Sequence, residues 1–115
     1  MNLLTLNNNV NMADLRIDSR MKVKTFKANF KKAFGASLRV YTTPNCKAKA
    51  DDEATLGSLM AAGTKGGEAT FGPNLKVGSF EKKITDMYGI GVQVANPKDT
   101  ALSDNEITLA AAGKE

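Results

Sequence analysis

Residues 22–40 read KVKTFKANFKKAFGASLRV, and residues 76–94 read KVGSFEKKITDMYGIGVQV. Val23, Phe26, Phe30, Ala33 and Phe34 recur as Val77, Phe80, Ile84, Met87 and Tyr88, each 54 positions later. From Phe26 onward the spacings of 4, 3 and 1 put these side chains on one face of an α-helix. Each segment is therefore predicted to be an amphipathic helix burying the same stripe. Thr25 and Ser79 stand where an N-cap oxygen can accept from free backbone N–H groups. Gly35 and Gly89 follow the last apolar residue, where a left-handed C-terminal position favours glycine.

Each glycine is followed by an alternating run, SLRVYT or GVQVAN. Leu38 and Val40, or Val92 and Val94, belong to one sheet face, with Arg39 or Gln93 on the other. Thr43-Pro44-Asn45 and Asn96-Pro97-Lys98-Asp99 form turns, after which residues 46–50 and 100–102 can pair back as short strands. The copies converge again one position out of step, as DDEATLGSLMAAG and DNEITLAAAGKE. Asp51 or Asp104 can cap a final helix that turns Leu56, Leu59 and Met60, or Leu109 and Ala112, inward.

The fold expected from this pattern is α+β: two tandem αββα repeats, 22–62 and 76–115, sharing one mainly antiparallel sheet with helices packed on one face. A repeat of about 40 residues rarely buries enough apolar surface to stand alone. Two of them must share a core, within one chain or between copies. Residues 22–115 are read as a single domain. Residues 1–21 form a polar leader, partly disordered at its start, in which 14–20 can add a turn or a strand. Residues 63–75 form a Gly-rich flexible linker that Phe71 can pin down.

The chain has 115 residues, 42% hydrophobic and 24% charged, which suits one soluble domain. No apolar run reaches the ~20 residues of a membrane-crossing helix, and the start lacks the features of a signal peptide. One cysteine, Cys46, forms no intramolecular disulfide, and a cytoplasmic protein is expected.

Chemistry-bearing motifs are scarce. The sequence contains no histidine, so the commonest neutral-pH acid–base group and metal ligand are missing. Cys46 stands beside Lys47, whose charge can lower a thiol pKa, but no base accompanies it. Asp51-Asp52-Glu53 and Asp104-Asn105-Glu106 carry oxygen ligands without the spacing of a calcium loop, and helix capping explains them as well. AAGTKGGE does not match a phosphate-binding loop. We read no enzyme, no cofactor and no metal site.

One surface stands out. The net charge of +4 is carried by the first repeat. There Lys24, Lys27 and Lys31, with Lys32 adjacent, form a ridge opposite the apolar stripe. Their counterparts are Gly78, Glu81, Thr85 and Asp86. Buried positions agree between the copies and outward ones diverge. Simple solvation accounts for many lysine runs. Such a ridge can also neutralise RNA or DNA phosphates, with Arg39 and Tyr41 adding a hydrogen bond and a stacking surface, or meet an acidic protein. The leading expectation is a small non-catalytic interaction module that binds a protein partner or its own copy. A homodimer is expected from the open edges of short hairpins. Nucleic-acid binding through Lys24, Lys27, Lys31, Lys32, Arg39 and Tyr41 is the alternative, with no membrane partner.

Overall fold

The computed structural model describes residues 14–115. The first thirteen residues of the leader lie outside the described residues. The elements in chain order are β1 (Leu15–Ile17), α1 (Val23–Phe34), β2 (Ser37–Tyr41), a 3-10 turn (Gly57–Leu59), β3 (Ala69–Phe71), α2 (Val77–Tyr88), β4 (Gly91–Ala95) and α3 (Leu109–Ala112). The protein is a small α+β fold with three α-helices and two two-stranded antiparallel sheets among the described residues.

Both long helices have 12 residues, and both stop at a glycine in the left-handed region, Gly35 at φ 86° and Gly89 at φ 70°. There the glycine N–H bonds back to Lys31 or Thr85, as expected. Their starts differ from expectation. The helices begin at Val23 and Val77, two residues before Thr25 and Ser79, and no side chain caps either one. Instead the Val23 and Lys24 N–H groups donate to the Ala54 and Asp52 carbonyls at 2.8 and 3.0 Å. Val77 and Gly78 donate likewise to Ile107 and Asn105 at 2.8 and 2.9 Å. A distant loop thus supplies the acceptors that free N–H groups at a helix start require.

The same loops explain why no single shared sheet forms. Strand β1 pairs with β3, Leu15 to Phe71 through Ile17 to Ala69, and β2 pairs with β4, Ser37 to Ala95 through Tyr41 to Gly91. After the turns, the chain touches β2 and β4 through isolated bridges only, Tyr41 to Lys49 and Ala95 to Leu102. It then leaves the strand edge to cap α1 or α2, so the expected second strand of each repeat is cut to one contact. Strands β1 and β3 take its place ahead of each helix. Strand β3 lies inside the segment read as a flexible linker, where Phe71 is indeed buried.

The final helices are shorter than expected. Asp51 and Asp104 accept from Glu53 and Glu106 N–H at 2.8 Å, closing turns rather than capping helices. Residues 51–62 keep only the 3-10 turn, and α3 is capped by Thr108, whose hydroxyl accepts from Ala111 N–H. Leu56, Leu109 and Ala112 are nevertheless buried, and Leu59 and Met60 are half-buried against the core.

One hydrophobic cluster joins these elements. Phe80 of α2 lies at its centre, with ring centroids 6.5 Å from Phe26, 5.3 Å from Phe30 and 5.2 Å from Phe71. Leu15, Ile17 and Phe71 enter from one sheet, and Leu38, Val40, Val92 and Val94 from the other. In the two long helices, all the positions assigned to the core are buried except Met87, which is half-buried.

Candidate functional site

Helix α1 presents Lys24, Lys27, Lys31 and Lys32 to solvent or near it, because the buried stripe of Phe26, Phe30, Ala33 and Phe34 occupies the opposite face. The ridge of the sequence reading is therefore a physical surface. Its electrostatics differ from those of a free cationic face.

The loop that caps α1 with its carbonyls also brings its carboxylates alongside the helix. Glu53 lies 3.1 Å from Lys22 Nζ and 2.6 Å from Lys24 Nζ, and Asp52 lies 3.0 Å from Lys27 Nζ. The two lysines beside it, chiefly Lys24, hold the Glu53 carboxyl below the ordinary range. Reciprocally, the hydrogen bond to Glu53 raises the Lys24 ammonium pKa. At the other end of the ridge, the turn after β4 docks against α1 and β2. Lys31 Nζ and Ser37 Oγ both donate to the Pro97 carbonyl, the latter at 3.1 Å. Arg39 donates through Nε to Asp99 Oδ1 at 2.7 Å and through Nη2 to the Asp99 carbonyl at 3.3 Å.

Four of the six predicted contact residues thus already have a carboxylate or carbonyl partner in the same chain. Lys32 enters none of the ion pairs among the described residues and lines a cleft with Asp14, Arg16 and Asn29. Tyr41 is buried, with 6% of its surface exposed, and its hydroxyl bonds Gln93 Oε1 at 2.9 Å. A ring so covered offers no face for a base to stack on. Lys27, Arg39, Lys49, Asp52 and Asp99 surround a cleft of about 230 Å³, a mixed-charge depression below the size of an ordinary ligand pocket.

Sequence reasoning missed these pairings because Asp52, Glu53 and Asp99 lie 25, 29 and 60 residues from their partners Lys27, Lys24 and Arg39. The available signal was the recurrence of an acidic cluster, as Asp51-Asp52-Glu53 and Asp104-Asn105-Glu106. That cluster serves each helix start in the same way: Lys76 meets Glu106 at 3.3 Å as Lys22 meets Glu53. Among the described residues, no three His, Cys, Asp or Glu side chains converge on one point.

Cys46 is a half-buried free cysteine. Its thiol is pushed up by burial and then by the charge of Glu81, rather than lowered by Lys47. A thiol shifted this way holds less thiolate at neutral pH and is a weaker nucleophile. Among the described residues, no helix is long and apolar enough to cross a membrane. No protein-family model matches the chain, and neither a curated protein nor a solved structure matches it.

Proposed function

We propose that the chain is a tandem duplication that works as a small non-catalytic module, binding a protein partner or a second copy of itself. The observation that carries this reading is a common frame with unlike surfaces. Elements β1, α1 and β2 recur as β3, α2 and β4 at an offset of 54. The strand registers centre on residues separated by the same distance, Arg16 opposite Thr70 and Arg39 opposite Gln93. At the surface the equivalence is mostly lost: Lys27 answers to Glu81, Lys31 to Thr85 and Arg39 to Gln93. A duplicated skeleton with divergent outward residues favours recognition over chemistry, since no nucleophile–base pair accompanies it among the described residues.

Two measurements test the reading together. Light scattering on the purified chain and stoichiometric copurification from native cells should yield a dimer, a defined protein partner, or both. A monomer that retains no partner would defeat it.

The alternative, nucleic-acid binding, draws support from the exposure of the ridge. Lys24 and Lys27 side chains remain 53% and 40% exposed, and surface ion pairs of this kind are weak enough for phosphates to displace. Against it stand the internal neutralisation and the buried Tyr41. Anisotropy titration with mixed RNA and DNA at two salt concentrations decides: binding that weakens steeply with salt would move the assignment to this reading.

A further inference from the structure

The β1–β3 sheet has an outer edge on each strand with no further strand beside it among the described residues. The two edges are chemically unlike. On β1 the central residue is Arg16, held by Asp18 at 2.7 Å and by Glu68 at 2.5 Å, and Asp14 and Lys32 line the cleft next to it. Charges on an edge strand oppose an incoming strand, because pairing would desolvate them. On β3 the residues are Ala69, Thr70 and Phe71, none of them charged.

Beside β3 runs a groove of about 500 Å³, lined by Phe71, Leu75 and Met87 together with Lys83 and Asp86 of α2. Leu75 and Met87 are half-buried, so the apolar floor is partly wet. Lys83 enters no ion pair among the described residues, and Asp86 is engaged only by Lys82 of its own helix, at 3.0 Å. Positions 83 and 86 are one helical turn apart and border the same groove.

We propose that the β3 edge and its groove are the surface through which two copies of this chain associate, β3 pairing antiparallel with the β3 of a second copy about a twofold axis near Thr70. The inference rests on the module reading above and names its occupant. A twofold contact is self-complementary: whatever one copy offers at one position, the other must answer at a second. Lys83 and Asp86 satisfy that condition, since each can face the opposite charge of the second copy across the axis. The charged β1 edge makes the head-to-tail pairing of β1 with β3 unfavourable. Assembly therefore closes at two copies instead of growing into a filament.

Light scattering of the full chain over a concentration series should show twice the monomer mass at the upper end. Thr70→Lys and Lys83→Glu should each raise the dimer dissociation constant about tenfold or more, by placing a charge on the strand edge or setting acid against acid. Far-UV circular dichroism and Tm should stay at their wild-type values. The double exchange Lys83→Glu with Asp86→Lys should restore self-association while failing to mix with the wild-type chain. A monomer at every concentration would overturn the proposal. If such a monomer still holds a stoichiometric protein partner, the module reading survives without this surface. A dimer that neither single substitution weakens would equally overturn it.

Discussion

Phe80 is fully buried between the two halves of the core. Three other aromatic rings, from α1 and β3, lie against it, and truncation would leave a void that they line. Phe80→Ala should cost about 3–5 kcal/mol in urea unfolding, a large share of the ~5–15 kcal/mol that holds a typical domain together. Its neighbour in sequence, Glu81, is half-buried, and burial raises its carboxyl pKa despite the bond that Val94 N–H donates to it at 2.9 Å. A raised folded-state pKa means the stabilising contribution is complete below the ordinary glutamate value, ~4.3, and is lost as pH rises through the folded-state value. Glu81→Gln keeps an acceptor for Val94 and removes the charge. We expect a higher Tm than wild type at pH 7 and a difference that closes on titration towards pH 4. Tyr88, equivalent in position to Phe34, uses its hydroxyl to bond the Gly67 carbonyl at 2.5 Å. Tyr88→Phe should cost about 0.5–1.5 kcal/mol, at the low end because water can reach exposed Gly67.

Both long helices read correctly from their apolar spacing and terminal glycines, because each signal acts within a few residues of its effect. Their starts did not. Lys22 and Lys76 occupy the cap positions without a capping side chain, and loop carbonyls from residues 52–54 and 105–107 do the work. The same loop docking decides the fate of the basic ridge. Lys24 and Lys27 were legible as exposed cations, but Asp52 and Glu53 reach them only because their loop returns to α1. The triple variant Asp52→Asn, Glu53→Gln and Asp99→Asn should leave the helices intact and unmask Lys24, Lys27 and Arg39. Anisotropy titration of single-stranded RNA at low salt should then show tighter binding than wild type, with a steeper salt dependence. Equal binding by the two proteins would mean that the internal acids do not govern what this face attracts.

At the scale of the whole fold, both sheets among the described residues join one strand from the first half to one from the second. Strand β1 needs β3, β2 needs β4, and Phe26 and Phe30 need Phe80. Fragments 14–66 and 67–115 should each give disordered far-UV circular dichroism alone and regain helix on mixing. An independently folded fragment would contradict a core that both halves must build. From the order of its residues alone, this chain determined its amphipathic helices, their glycine stops, the alternating strands β2 and β4 and the positions that go inside, since periodicity and turn chemistry are local properties. Tertiary structure alone decided that the strands pair in two separate sheets and that β1 and β3 exist as partners. It also buried Tyr41 and set acids from distant loops against the lysines. Those outcomes depend on which carbonyls, edges and charges meet across dozens of residues, a competition that local pattern does not encode.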